Sequence, residues 1–351
     1  MVDYLIVGQG ISGTLLSWFL YREGKTFLVI DENSERASSK IAAGIINPVT
    51  GRRYAYAWMI EEIMPFAARV YQEMSEYFQS RFIFPKSIID FFPSVQMRQA
   101  FLDRHSENDS YLHAYPDQNH FNQFFHYDFG CGEIKPAYLV HVSELLKAWR
   151  KKLQENNTLL EERFEVNDLV MDVDHVRYKN ISAEKIIFCE GSEGTDNPWF
   201  RLLPYAPNKG EALIIECEDL DLNHIFKKGL MLAPLPAKGQ YWLGSNYQWE
   251  FENDQPSGAF YQHAHNVLKG WLKNPFRVLD HKAAVRPATI ERRPFVGLHP
   301  HLPNIGILNG MGTKGTSFAP FFAHQLVQHL VYQFPLSPEA DIHRFSRILH
   351  R

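Results

Sequence analysis

The sequence predicts a mixed α/β fold, α+β over the whole chain, in which a parallel, nucleotide-binding sheet is interleaved with an antiparallel one. Three observations predict it. Residues 3–31 read as strand, glycine turn, helix and strand in immediate succession. A second apolar run, at 185–188, also ends in a glycine turn. Between residues 205 and 284 the pattern changes to short strand-like runs separated by turns. A strand–helix–strand crossover requires parallel pairing, whereas short turns join antiparallel neighbours.

Within 3–31 each position has a physical role. The run 3–7 is apolar and β-prone, and Gly8, Gln9, Gly10, Ile11, Ser12 and Gly13 follow it directly. Gly8 permits the tight turn out of the strand, Gly10 lets the backbone approach a diphosphate, and Gly13 lets the helix pack against the sheet. Leu15, Leu16, Phe19 and Leu20 give the helix its apolar face, Gly24 ends it, and 26–30 is the second strand. A helix N-terminus offers unpaired N–H groups and a positive dipole end to phosphates. Asp31, at the end of the second strand, stands where a carboxylate accepts hydrogen bonds from an adenosine ribose, with Glu32 beside it. A bare glycine turn also fits G-x-G-x-x-G; the agreement of strand, helix and acid selects an adenine dinucleotide site.

Composition narrows the class. At 351 residues the chain is long for one core, so two domains are expected. Hydrophobic residues make up 45% and charged residues 22%, the balance of an ordinary globular protein. The formal charge, 36 − 40 = −4, gives no electrostatic case for nucleic acid or an anionic membrane as the main partner. No apolar run approaches the ~18 residues of a membrane span. A strand entered at residue 3 leaves no room for a secretory signal, so a cytoplasmic protein is expected. Cys131, Cys189 and Cys217 are sparse and lack C-x-x-C spacing, and the 16 histidines are scattered, so reduced thiols and no metal site are expected.

The rest of the chain follows in order. A polar stretch at 32–40 leads into Ile41, Ala42, Ala43 and Gly44, small residues that suit close approach of the backbone to a ligand; Pro48 and Gly51 then mark a loop. Residues 60–80 read as a helix that Pro65 can kink. Residues 81–134 are rich in Phe, Tyr and His, with a strand at 88–92 and no finer assignment. Residues 138–155 form an amphipathic helix, with Leu139, Val142, Leu145, Leu146, Trp149 and Leu153 inward and Lys147, Arg150, Lys151 and Lys152 on a solvated face. Residues 158–164 read as a strand and 166–178 as a small β excursion. The strand at 185–188 runs into Cys189, Glu190 and Gly191, with its C-terminal end directed at the nucleotide. Strands at 211–216, 230–233 and 240–244 build the antiparallel sheet, which commonly covers a ligand on one face. A helix at 260–273, a strand at 305–308, the loop Gly310, Met311, Gly312, Thr313, Lys314, Gly315 and a helix from about 317 complete the chain. The expected nucleotide-binding domain is 1–59, 135–204 and 285–351; the expected substrate domain is 60–134 and 205–284.

Five blocks occur in the order found in one family: 8–13; Asp31; Ser39, Lys40, Ile41, Ala42, Ala43 and Gly44; Phe188, Cys189, Glu190 and Gly191; and Val285, Arg286 and Pro287 through 310–320. In these the chain resembles the D-amino-acid oxidase-like (DAO) superfamily of FAD-dependent oxidoreductases, and in particular its glycine oxidase and sarcosine oxidase branch. The resemblance implies a Rossmann-type FAD-binding domain with an interleaved antiparallel-sheet substrate domain. It places the FAD diphosphate at 8–13, the adenosine ribose at Asp31, the ribityl chain along 39–44, the adenine at the Val166 backbone and the flavin pyrimidine at 310–315. Arg286 matches the arginine that clamps a substrate carboxylate in glycine-oxidase-like members. The resemblance implies oxidation of the C–N bond of a small amino acid or amine by hydride transfer to flavin N5. Glu190 departs from the family, which has a small residue there. No Cys follows Arg286 and no His precedes Ala42, positions used for covalent attachment in some branches, so non-covalent FAD is expected.

The residues themselves leave alternatives. Arg286 presents a planar fork suited to a carboxylate, and also to a structural ion pair. Lys314 adds a positive charge near the flavin, or is an exposed loop lysine. Tyr247 supplies a hydroxyl to the substrate, or is a half-buried sheet residue, and Arg52 binds an anionic substrate or sits on the surface. The same fold also serves a 2-hydroxy acid or a modified-tRNA amine, and a redox sensor without turnover binds the same dinucleotide.

Overall fold

The computed structural model describes residues 1–107, 110–220 and 222–350. The chain divides into two compact units, each built from separated segments. The first comprises 1–40, 142–208 and 285–351, and the second 41–141 and 209–284. Residues 41–59 and 135–141, expected with the nucleotide-binding segments, pack in the second unit, and 205–208 pack in the first.

In the first unit the opening motif forms as the glycines and apolar residues dictate. Val2–Val7 lies between two parallel partners, Phe27–Ile30 and Ile181–Phe188, in register Tyr4↔Phe27 and Tyr4↔Lys185. Leu302–Asn309 extends the parallel set through Ile186↔Ile305, and Phe295–His299 pairs antiparallel with it. Leu5, Val7, Ile186, Phe188, Ile305 and Ile307 bury one face of this sheet. The helix Ile11–Arg22 is buried continuously from Ile11 to Leu20, because helices cover it as well as the sheet. Trp149 of the helix Val142–Glu155 meets Trp18 edge to face at 5.4 Å and donates its indole N–H to Ser17 Oγ at 2.8 Å. Such an edge-to-face pair adds about 0.5–1.5 kcal/mol beyond the area it buries.

Two expectations change here. Residues 138–140, read as the start of a helix, are the end of the strand Cys131–Val140, because pairing with Ile83–Phe91 outweighs helical periodicity. The expected strand at 158–164 is reduced to Leu159–Leu160, which pairs with the end of Phe27–Ile30. The segment 166–178 resolves into a 3-10 turn, Val166–Asp168, and a hairpin, Leu169–Met171 with Val176–Tyr178.

The second unit is built on a nine-stranded sheet. Pairings such as Leu213↔Leu243 and Leu232↔Leu243 are antiparallel, whereas His224–Lys228 runs parallel to Ile83–Phe91. Ile83–Phe91 is the strand expected at 88–92, begun five residues earlier. Phe91, Phe121, Phe125, Phe226 and Trp271 fill the core between the sheet and the helix Gly258–Trp271. The helix begins on Ser257, whose hydroxyl accepts the Phe260 N–H at 3.2 Å. Beneath that cap Glu211 is wholly buried, accepting hydrogen bonds from the Ser257 N–H at 2.6 Å and hydroxyl at 2.8 Å and pairing with His281 at 3.0 Å. The helix Ile60–Tyr77 runs on through Pro65. No helix among the described residues is long and apolar enough to cross a membrane.

Candidate functional site

The glycine turn of the first unit lies at the C-terminal end of Val2–Val7, on the side where open α/β sheets bind ligands. Gly8 has φ +94°, and a Cβ on it would lie 2.5 Å from the Cys189 carbonyl oxygen. A Cβ on Gly13 would lie 1.9 Å from Gly8 O. Gly10, by contrast, would meet only Ser39 Oγ at 3.3 Å, so its open side is available to a ligand. Gly10 is the N-cap of Ile11–Arg22, no side chain caps that end, and no acid occupies the first turn. Only the Ile11 N–H is directed to a side chain, Ser39 Oγ at 3.0 Å. A 12-residue helix ending on an uncapped glycine turn fits a diphosphate, through N–H groups that water or an anion must otherwise satisfy.

Asp31 is held rather than free. It accepts the Gln9 N–H at 2.7 Å, the Asn33 N–H at 2.8 Å and the Arg150 guanidinium at 2.7 Å. A carboxylate has about four acceptor sites, so one remains for a ribose hydroxyl. Arg150 is the residue that sequence reasoning missed. Expected on a solvated face, it is 7% exposed, bridges Asp31 and Glu161 (2.8 Å), and donates to Gln9 Oε1 at 3.1 Å. The signal available was an arginine one residue past the inward Trp149. We expect Arg150→Ala to lower unfolding stability by about 2–3 kcal/mol, because Asp31 loses its cation while partly desolvated. Urea unfolding measures this, and a change below about 0.5 kcal/mol would show the pair to be a surface contact in effect.

Other expected cofactor residues lie as follows. Ser12 is buried and Glu32 is exposed. Lys40 reaches back to the Asn33 carbonyl at 3.0 Å and Glu35 at 3.0 Å, closing the loop after Asp31. Ala42 is exposed and Ala43 half-buried, both in the second unit. Gly44 has φ +77°, and a Cβ there would sit 1.9 Å from Val140 O, so packing within the second unit already requires a glycine. Val166 is 42% exposed. Cys189 donates its N–H to Val7 O at 2.8 Å, which brings Glu190 and Gly191 to the edge of the Gly8 turn.

The 310–315 loop and Arg286 converge within the first unit. Gly310 and Gly312 have φ +76° and +54°, and the Gly312 N–H donates to Pro287 O at 3.0 Å. Met311 is buried and Thr313 exposed. A Cβ on Gly315 would meet Ile11 Cγ2 at 3.4 Å, which sets the start of the helix Gly315–Tyr332 beside the start of Ile11–Arg22. Lys314 is the N-cap of that later helix, and burial pushes its ammonium down to about 8. A cation at a helix N-terminus is disfavoured by the dipole and is stabilised by an incoming anion or partial negative charge. Arg286, half-buried at the end of Arg277–Arg286, donates to Asn208 Oδ1 at 2.7 Å. Asn208 is 1% exposed, so a buried amide anchors the guanidinium.

Tyr247 is 61% exposed and outside any strand, in place of the half-buried sheet position that was its alternative. Arg52 is exposed. Both belong to the second unit.

The model of a family described as FAD dependent oxidoreductase (DAO) matches residues 3–329. Solved structures of similar fold include a glycine oxidase from Bacillus cereus ATCC 14579, at TM-score 0.80 and 18% identity, covering 95% of this chain and 96% of that one. A glycine oxidase from Geobacillus kaustophilus follows at TM-score 0.79, 16% identity and 98% of each chain. An L-proline dehydrogenase from P. horikoshii is similar at TM-score 0.78 and 15% identity, over 99% of this chain and 98% of that one.

Proposed function

Since the chain belongs to the FAD-dependent oxidoreductase (DAO) family, and is an enzyme of that class, we propose that it oxidises the C–N bond of a small amino acid or amine bearing a carboxylate. The observation that carries this reading is the place of Arg286, a half-buried guanidinium that donates to Asn208 Oδ1 at 2.7 Å and is joined through Pro287 to the 310–315 loop. The fold neighbours include proteins named for glycine and L-proline, which fits a substrate of this size.

Bound FAD supplies acceptance of a hydride from the carbon next to nitrogen. The chain's own residues bind and orient. The turn at 8–13 and the first helix N-terminus would hold the diphosphate, and Asp31, kept in place by Arg150, the adenosine ribose. Ser39 and Lys40, with Val166 and residues 189–191, would line the remainder within the first unit, and the 310–315 loop the flavin ring. Arg286 fixes the carboxylate of the substrate and so the direction of its α-carbon. Lys314 and the helix N-terminus behind it place positive potential in the loop that would meet the flavin pyrimidine, where negative charge develops on reduction. A substrate bound as the neutral amine requires no protein base, and Tyr247 is left the lesser role of a hydroxyl contact. The cofactor is held non-covalently. Cys189 is the one cysteine of the first unit, and burial raises its thiol far above the range in which it would act as a nucleophile.

The test is the colour of the purified protein. A yellow protein bleached anaerobically by small amino acids or secondary amino acids, and not by the matching 2-hydroxy acids, is the expected outcome. Bleaching by hydroxy acids alone moves the reading to a hydroxy-acid dehydrogenase. No bleaching across both series favours a substrate of another class, such as a modified-tRNA amine, or a redox sensor.

A further inference from the structure

Glu190 ends the run Phe188, Cys189, Glu190 beside the glycine turn, and its surroundings give it a consequence. The Gly8 turn closes directly on its backbone: a Cβ on Gly8 would lie 2.5 Å from Cys189 O and 3.5 Å from Glu190 Cα. Its carboxylate accepts one hydrogen bond, from Asn197 Nδ2 at 2.8 Å. Among the described residues no lysine, arginine or histidine pairs with it. The groups facing it are neutral or acidic. Glu193, on the 3-10 turn Gly191–Thr195, adds like charge, and Glu193 itself feels Asp31, Glu32 and Asp196, opposed by Arg163. Tyr205, bonded to Asn309 at 3.4 Å, and Cys189 stay protonated through burial. The N-terminus of Ile11–Arg22, which an incoming diphosphate would use, is the positive element of the turn itself, and the Arg150 guanidinium that reaches Gln9 Oε1 at 3.1 Å is taken up by Asp31 and Glu161. Desolvation, with Glu193 adding to it, pushes the Glu190 carboxyl up to about 7, against the single Asn197 hydrogen bond that lowers it.

We propose that Glu190 must carry a proton for the FAD diphosphate to dock on the turn at 8–13, so that cofactor binding takes up a proton at Glu190. The inference rests on the placement of the diphosphate at that turn. Docking brings two negative charges and excludes water beside a carboxylate with no cation to offset it, so the ionised form opposes binding. The sign follows from linkage. The carboxyl is harder to ionise in the complex than in the apoprotein, so affinity is constant at low pH. It declines once pH passes the apoprotein's transition near neutrality, by up to about tenfold per pH unit for one linked proton.

The experiment is a fluorescence titration of apoprotein with FAD from about pH 6 to 9, a range in which ordinary carboxylates are already ionised. The wild type is expected to lose at least about tenfold in affinity across that range. Glu190→Gln and Glu190→Ala are expected to bind with a nearly pH-independent constant, and more tightly than wild type at the alkaline end. A wild type whose affinity is flat or rises with pH overturns the proposal. So does a slope that survives in both variants, which would assign the proton to another group such as Lys314. Gly10→Ala separates this from the placement itself: its Cβ would touch only Ser39 Oγ, so the fold tolerates it, and FAD should bind more weakly at every pH. Wild-type binding by Gly10→Ala overturns the diphosphate placement, independently of any result at Glu190.

Discussion

Arg286→Ala is expected to weaken substrate binding, read as the half-saturating concentration for anaerobic flavin reduction, by about 100–1,000-fold, or roughly 3–4 kcal/mol. Losing one partner of a charged, hydrogen-bonded pair removes both its attraction and its geometric constraint, and the partner's carboxylate remains desolvated. Because the guanidinium also sets the direction of the α-carbon, the limiting rate should decline as well, by a smaller factor. Two controls keep this specific. An amine of the same shape without the carboxylate should be handled equally by both proteins. Arg286→Lys should recover only part of the loss, because a point charge lacks the planar fork and cannot reproduce the bond to Asn208 Oδ1. Stability is read alongside, since Asn208 is buried and loses its partner in the alanine variant, at about 1–3 kcal/mol. Reduction by carboxylate substrates as fast and as tightly coupled to concentration as in wild type would sink the role given to Arg286.

Gly13→Ala is expected to yield protein that is colourless or does not fold. The new Cβ would stand 1.9 Å from Gly8 O and 3.0 Å from Gly8 C, both backbone atoms of the turn that closes on Cys189. Relief requires the helix Ile11–Arg22, buried from Ile11 to Leu20, to withdraw by more than about 1 Å, which disrupts close-packed contacts along it. The destabilisation should reach about 3 kcal/mol or more. Circular dichroism with flavin absorbance at purification measures it. A soluble Gly13→Ala protein with full flavin content and wild-type unfolding would show that the contact between this helix and the turn is not required.

How much was readable before folding depended on whether the deciding contact was local. Gly8, Gly10, Gly13 and Asp31 were legible because turn, helix start and carboxylate are set within one strand–helix–strand segment. Arg286 and the 310–315 loop were legible as a block, and their junction is local too, from Gly312 to Pro287. Arg150 was not legible. Its burial depends on Asp31, 119 positions away, and nothing within its own helix distinguishes it from its exposed lysine neighbours. Gly44 was read as small for a ligand's sake, yet its glycine is already demanded by Val140 in the same sheet. The strand expected at 88–92 is Ile83–Phe91, and its earlier start was not legible because its partners, Cys131–Val140 and His224–Lys228, are remote in sequence. Tyr247 failed as a sheet position because the chain leaves the ladder at Gly244.

The alternation of segments between the two units also governs how the chain can be made. It passes from one unit to the other four times. Val2 is registered with Ala183, and the parallel neighbour of that partner strand, Leu302–Asn309, is translated well after it. A ribosome therefore releases most of the sequence before the nucleotide-binding sheet has all its strands, and ligand cannot rescue the nascent chain early. Long-range parallel pairing of this kind is slow to nucleate and leaves unpaired strand edges exposed meanwhile. Expression yield and chaperone demand should thus respond more to growth temperature and flavin supply late in folding than to any surface substitution. Dissecting the protein into two contiguous halves should give two insoluble fragments rather than two domains.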